Sequence, residues 1–346
     1  MTVAFPSLLQ DIPQFEEFEV RPGIVDFHGD GFERHLAPRR GALKDLTEGF
    51  LALDAELAAN GITTAMLAQF WSWEGGMRGP DYARRIIATL GACRDRLFTD
   101  MYIQLRVETH LIDDFEEIAA LVEEAGIRCV IFNDHLPHAA LEQGKKPPRL
   151  TGQAIKSGRS PEAHWTLLQE LHAKHAEVPA ALEALSIRLQ AGGVLLGSHD
   201  DATAEGRAWF RGIGAPVAEF PESWEAIEAA REDVTILGAP NVVRGGSHKK
   251  KISALEGIRR GLCDVLVSDY HYPAQRQAAL MLEAEGIDGW KMISEAPAKA
   301  LGFEDRGRLA PGLRADLTVL DTTGRVAGTL VGGRWSHLTQ PLLEVL

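Results

Sequence analysis

The sequence predicts an α/β fold: a (β/α)8 TIM-type barrel carrying a small β appendage. Three observations predict it. Short β-prone runs alternate with helix-length amphipathic segments, and counting the run at Ile24–Phe27 there are eight of them. Such alternation gives parallel strands joined by crossover helices, and eight units close a barrel. Seven of the eight runs finish in side chains that bind metals or handle charge, and in this fold the chemistry sits at strand C-termini. Residues 306–335 break the alternation and read as turns and strands only. The barrel is assigned to residues 23–303, and the appendage to 1–22 together with 304–346.

Residues 1–22 hold Pro6, Pro13 and the acidic stretch Glu16-Glu17-Phe18-Glu19, with room for one or two strands. Pro22-Gly23 interrupts whatever precedes it. The first barrel strand, Val25-Asp26-Phe27-His28-Gly29-Asp30, follows. On a strand, residues two apart share a face, so His28 and Asp30 look toward one site. A loop with Arg34, His35, Arg39 and Arg40 leads to a helix over 44–60, where Leu46, Phe50, Leu53 and Leu57 recur at three- and four-residue steps and Asn60-Gly61 ends it.

Strands are then expected at Ile62–Leu67, Met101–Val107, Cys129–Phe132, Gly193–Leu196, Pro216–Phe220, Val234–Leu237 and Val265–Ser268. Helices between them are expected at Pro80–Leu90, Phe115–Glu124 (closed by Gly126), Ala202–Phe210, Trp224–Arg231, Ile252–Arg260 and Ala274–Glu285. A long helical pattern covers 161–191, with a break expected at Pro179. Gly144 to Gly158, with Lys145, Lys146 and Arg149, reads as a loop. In the tail, Arg308 to Gly312 is a turn, Ala315–Asp321 and Val326–Val331 are strand-like, and Gly332-Gly333 turns again.

Composition narrows the class. The chain has 346 residues, 45% hydrophobic and 25% charged, as in an ordinary soluble globular enzyme. A net charge of -13 argues against nonspecific binding to nucleic acid or to an anionic membrane surface. Cys93, Cys129 and Cys263 are far apart, and buried thiols in a reducing, cytoplasmic setting are expected rather than a disulfide framework. The N-terminal residues lack a basic region followed by an apolar core, so no signal peptide is expected. No apolar run of about 20 residues is present, so no membrane span is expected. A homo-oligomer is compatible with the sequence, which carries no mark of it.

The strand ends carry the chemistry. His28 and Asp30 end the first, Glu108 the third, His135 the fourth, His199-Asp200-Asp201 the fifth, Glu219 the sixth, Asn241 and Arg244 follow the seventh, and Asp269 the eighth. Imidazole and carboxylate together suit a divalent ion of the zinc type, with manganese or iron as alternatives. The candidate metal ligands are His28, Asp30, Glu108, His135, His199 and Asp269, for one or two ions, with Glu108 able to bridge two. Asp269 is the candidate general base that takes the proton from water and later delivers it to the leaving group. Asp200 either orients His199 or belongs to a turn.

Pro240 to Lys251 is the second informative stretch. Gly245-Gly246 lets backbone N–H groups come close to a ligand, and Arg244 and His248 add positive charge. In an acidic chain this suggests a small anionic, phosphate-bearing substrate, held by Arg39, Glu219, Asn241, Arg244 and His248. Trp71 and Trp73 either stack a substrate ring or pack the rim. His164, His172 and His175 read as surface or packing residues, since no third ligand is near them in sequence.

With these residues in place, the chain resembles the amidohydrolase superfamily, and within it most closely the diphosphohydrolases of the carbon–phosphorus lyase pathway. The motifs are Pro22 to His28 with Asp30, Glu33 with Pro38-Arg39, Gly61-Ile62-Thr63-Thr64, and Ser198-His199-Asp200-Asp201-Ala202-Thr203. They continue with Ala218-Glu219-Phe220-Pro221, Gly238 through His248, Ser268-Asp269-Tyr270, and Arg306-Gly307 to Ala315-Asp316-Leu317. The resemblance implies a metal-dependent hydrolase with a distorted barrel and a small β-sandwich, removing pyrophosphate from a sugar triphosphate to leave a 5-phosphate. The chain departs from the family pattern at Gly29-Asp30-Gly31, at Ala68-Gln69-Phe70-Trp71, where the family has an Asp, and at Lys249–Lys251. These departures surround the expected pocket. An amidohydrolase-type deacylase or deaminase, cleaving a C–N or ester bond by the same water activation, is the alternative.

Overall fold

The computed structural model describes residues 17–37, 45–246 and 252–346; Arg39, Arg40 and His248 lie outside the described residues. Twelve strands are formed among them: β1 Phe18–Pro22, β2 Ile24–Gly29, β3 Ile62–Trp71, β4 Asp100–Glu108, β5 Cys129–Asn133, β6 Leu195–His199, β7 Val217–Glu219, β8 Val234–Gly238, β9 Val265–Val267, β10 Leu317–Asp321, β11 Val326–Val331 and β12 Arg334–Leu338. β2 through β9 make one sheet in chain order. Each registered pair in it is parallel. A parallel bridge between Gly29 and Asp269 joins the two ends of the series. The fold is a (β/α)8 barrel. β1, β10, β11 and β12 form the appendage, one antiparallel sheet in the order β1-β10-β11-β12.

The barrel strands form because their sequences are apolar on both faces. Every residue of β2 and of β3 is buried, as expected for parallel strands covered by helices. The helices start where short polar side chains accept a hydrogen bond from their first turn. Asp45 caps Leu46–Ala59 through the Thr47 N–H at 2.8 Å. Ser160, Thr203, Ser223 and Ser253 do the same for Pro161–Ala173, Ala204–Gly212, Trp224–Ala229 and Ala254–Arg259. Phe115–Ala125 ends on Gly126 at φ 62°, the left-handed cap that a glycine adopts without strain.

Several elements differ from the sequence reading: the stretch read as a loop from Gly144 to Gly158 holds the helix Leu150–Ser157, and β12 was not expected. β3 runs four residues further than Leu67, because Ala68, Gln69, Phe70 and Trp71 are buried and the Gln69 amide donates to the Phe70 and Met77 carbonyls. The helical pattern over 161–191 is two helices, Pro161–Ala173 and Val178–Ala191, separated by a 3-10 turn at His175–Glu177. Pro179 falls in the first turn of the second helix, where a missing N–H costs nothing, so the break precedes it. All three cysteines are free thiols. No helix among the described residues is long and apolar enough to cross a membrane.

The chain divides into two compact units. One comprises residues 1–67, 92–102 and 234–346, with the appendage, β2 and β9; the other comprises 68–91 and 103–233, with β5, β6 and β7.

Candidate metal-dependent active site

In the first unit, His28, Asp30 and Asp269 each offer a ligand atom, and these atoms lie within 4.8 Å of one another. The backbone builds this group. The Asp30 N–H donates to the Asp269 carbonyl at 2.9 Å, and the Asp269 N–H to the His28 carbonyl at 3.1 Å. Behind them Asp26, fully buried, accepts from the Ser268 N–H at 3.0 Å and from the Ser268 hydroxyl at 2.5 Å. Burial raises the Asp26 carboxyl to about 6, against the opposing pull of the Ser268 hydrogen bonds. Gly29 is required here: a Cβ would sit 2.7 Å from Asp26 Oδ2 and 3.0 Å from both Ser268 Oγ and the Tyr272 ring.

Among the described residues, the basic side chains Arg34 and His35 are already paired. Arg34 and His35 both pair with Glu56 on the helix Leu46–Ala59, and Arg34 also donates to the Tyr270 carbonyl at 3.3 Å. Glu56 thereby engages both side chains. Asn241 is likewise engaged: its amide donates to the Ile252 carbonyl at 3.3 Å and accepts from the Ala254 N–H at 3.2 Å, bracing the start of the helix Ala254–Arg259. Arg244 is exposed in the turn that follows the short helix Ala239–Val243.

In the second unit, His135, His199 and Asp200 form a group of the same kind, with ligand atoms within 4.8 Å of one another. Two buried carboxylates orient the imidazoles. Glu108 accepts from His135 Nδ1 at 2.5 Å, from the His135 N–H at 3.2 Å and from Trp73 Nε1 at 3.1 Å. Glu219 meets His199 Nδ1 at 2.7 Å and accepts from Gln104 Nε2 at 3.0 Å. Arg106 Nη2 stands 2.7 Å from His199 Nε2, while its Nε and Nη2 bond to Asn133 Oδ1 and its guanidinium lies 4.0 Å over the Phe70 ring. Burial, and then the Arg106 charge, lower the His199 imidazole to about 4. For His135 burial acts downward, but the Glu108 hydrogen bond and charge outweigh it and hold the imidazole above its usual value.

Glu108 and Glu219, expected as a metal ligand and a substrate-binding residue, bond to histidines here. Trp73 packs with Leu136, Leu141, Leu150, Leu168 and Leu171, and Trp71 donates to Asp114 Oδ2 at 2.8 Å, so both indoles belong to packing and orientation. Asp201 turns away from His199. It accepts from Ser198 Oγ at 2.6 Å and pairs with the fully buried Arg207 at 3.1 Å. Among the described residues, the non-glycine positions with positive φ are Asp200 at 61°, Phe220 at 54° and Asp269 at 55°. Each follows the end of a barrel strand. Strain of this kind persists where the surroundings fix a side chain for use.

The donor sets fit divalent metal. One imidazole with two carboxylates, and two carboxylate-oriented imidazoles with one carboxylate, are both ordinary ligand sets for zinc, iron or manganese. At the second group an ion held by His199 Nε2 would have to displace Arg106 Nη2 from it.

No family model matches the chain. Over 312 residues, 86% of this chain and 82% of the relative, it is 28% identical to an alpha-D-ribose 1-methylphosphonate 5-triphosphate diphosphatase of Escherichia coli (strain K12). A shorter stretch, 126 residues covering 32% of this chain but only 21% of the relative, is 31% identical to an adenine deaminase of Methylobacterium sp. (strain 4-46). Among solved structures, the fold is shared with N-acetyl-D-glucosamine-6-phosphate deacetylase from Mycobacterium smegmatis, at a TM-score of 0.56 and 16% identity over 92% of this chain and 87% of that one. The corresponding enzyme of Pasteurella multocida gives 0.57 and 12%, over 94% and 90%. Along most of its length the chain is thus similar to this diphosphatase, and its barrel is the fold of the two deacetylases.

Proposed function

We propose that the protein is a metal-dependent phosphoanhydride hydrolase that releases pyrophosphate from a small anionic substrate of the ribose 1-alkylphosphonate 5-triphosphate type. The observation that carries this reading is the 28% identity spread over 86% of the chain. His28, Asp30 and Asp269 would hold one ion, and His135, His199 and Asp200 a second, zinc being the first candidate. A bound divalent ion lowers the pKa of water toward neutrality and offsets charge on the attacked group. Asp269 takes the proton of the attacking water on its carboxylate as the new P–O bond forms, and returns it to the leaving pyrophosphate oxygen as the old P–O bond breaks. His28 and Asp30 fix the face from which water approaches. Glu219 and Glu108 keep His199 and His135 turned toward their site.

A second reading, hydrolysis of a C–N bond, is favoured by the 31% identity to adenine deaminase over about a third of the chain. Pyrophosphate release from a panel of sugar and nucleoside triphosphates, with and without chelator, tests the first reading. Chelator-sensitive release is expected. If metal-loaded protein releases no pyrophosphate but frees ammonia from amino-substituted heterocycles, the second reading replaces the first.

A further inference from the structure

The second unit holds a cluster of histidines that shares no residue with either ligand group. His110 follows β4, His138 opens the short helix His138–Glu142, His172 ends the helix Pro161–Ala173, and His175 lies in the next turn. The sequence offers His172 and His175 three residues apart and no further ligand. The fold supplies it from 34 and 65 residues away. His138 Nδ1 is 3.0 Å from His172 Nδ1, and His110 Nε2 is 3.0 Å from His175 Nδ1. Ring centroids are 4.9 Å apart for His110 with His138 and for His138 with His175. One ligand atom each from His110, His138 and His175 falls within 4.8 Å of the others.

We propose that His110, His138, His172 and His175 form a separate transition-metal site of the zinc class. Four nitrogens about 2.0–2.1 Å from a tetrahedral ion lie about 3.3 Å from one another, close to the two contacts seen. Two of the remaining ring nitrogens are oriented as in metal sites. His138 Nε2 is held by both oxygens of Asp134 at 3.0 Å, and His110 Nδ1 by Thr109 Oγ1 at 3.0 Å. A carboxylate or hydroxyl on the outward nitrogen fixes the tautomer that turns the inward one to the ion. His110 is buried and His175 exposed, so the cluster opens to solvent. A bound ion would tie three segments, after β4, after β5 and before the helix Val178–Ala191, into one cross-link.

The test uses the full chain, stripped with chelator and then titrated with Zn²⁺ and, separately, Co²⁺. His138→Gln/His172→Gln is expected to bind one equivalent of zinc fewer than wild type by elemental analysis, and to lose a visible absorption band of tetrahedral, nitrogen-ligated Co²⁺. His28→Ala should keep that band. Should the double variant not fold, His175→Gln, altering an exposed ring, is expected to weaken the same band at least tenfold in Co²⁺ affinity. Unchanged zinc content and an unchanged Co²⁺ spectrum in these variants would overturn the site and leave only a hydrogen-bonded histidine network.

Discussion

Arg106 Nη2 meets His199 Nε2 at 2.7 Å, so a permanent cation stands at the nitrogen that an ion would use. The pair holds His199 neutral, with Nδ1–H turned to Glu219. Burial is the larger cause of its lowered value and the Arg106 charge the next. Arg106→Gln should therefore raise the His199 imidazole from about 4 part of the way toward 6.5, read by NMR titration of metal-free protein. It should also tighten metal binding at His135, His199 and Asp200. An unmoved titration would mean that burial alone sets the value.

Stability should depend on pH through the same histidines. His199 and His110 are both lowered from 6.5 to about 4, chiefly by burial. Between those values the unfolded chain binds protons that the folded chain does not, so their contribution is full above about 6.5 and is lost as pH falls toward 4. Each adds a slope of at most about 1.4 kcal/mol per pH unit in that window. Asp26 acts in the opposite sense, since raising its carboxyl from 3.8 to about 6 favours the folded state at the acid end. With two histidines against one carboxyl, chelator-treated protein should melt at lower temperature at pH 4.5 than at pH 7. Thermal unfolding followed by circular dichroism checks it.

Arg207 offers a test of the scaffold. It is fully buried, pairs with Asp201 at 3.1 Å and Asp233 at 3.2 Å, and donates to Ser198 Oγ at 2.6 Å and to the Val217 carbonyl at 2.9 Å. Arg207→Met leaves the buried Asp201 carboxylate without its cation, while Asp233 keeps Arg211, and should cost about 3–5 kcal/mol in urea unfolding. Arg188→Ala, which breaks an exposed pair with Glu116, should cost at most about 1 kcal/mol. Equal effects of the two would refute the distinction.

That contrast marks how far the sequence can be read. The eight strands were legible because parallel strands are apolar runs bounded by helical periodicity, and the ligand candidates because His28, His199 and Asp269 end such runs. Arg207 was not, since it sits within Ala204–Gly212, a helix whose pattern reads as a solvent-facing one. The histidine cluster and the Arg34–His35–Glu56 grouping were hidden for another reason: their partners are 21 to 65 residues apart and meet only through the fold. β12 was missed because it is short and only partly buried, so alternation gives it no signal.

Asp269 combines the proposed role of general base with a backbone constraint. At φ 55° it occupies a region that Asn and Asp tolerate far better than other residues. Asp269→Asn should therefore keep the fold and much of the bound metal while removing the proton acceptor. A rate loss of about 10²–10⁴ in kcat follows, with a Tm near that of wild type. Near-normal turnover would remove Asp269 as the base.

Glu108 is fully buried and accepts three hydrogen bonds, two from His135 and one from Trp73. A carboxylate can do this because both oxygens only accept. The amide of Glu108→Gln keeps one acceptor oxygen and turns an NH2 group toward donors that need an acceptor. With His135 in the tautomer that leaves Nε2 free for an ion, its Nδ1–H and Trp73 Nε1 cannot then both be satisfied, and an unsatisfied buried group costs about 1–3 kcal/mol. Losing the carboxylate also lowers the His135 imidazole, which Glu108 holds above its usual value. Metal affinity at the His135 group should fall about 10–100-fold, as on removal of other orienting partners. Competition for zinc against a chromophoric chelator measures this. Trp73→Phe, which removes one donor and leaves the carboxylate on His135, should cost much less affinity; if the two variants lose equally, packing around Trp73 rather than the orientation of His135 governs the site.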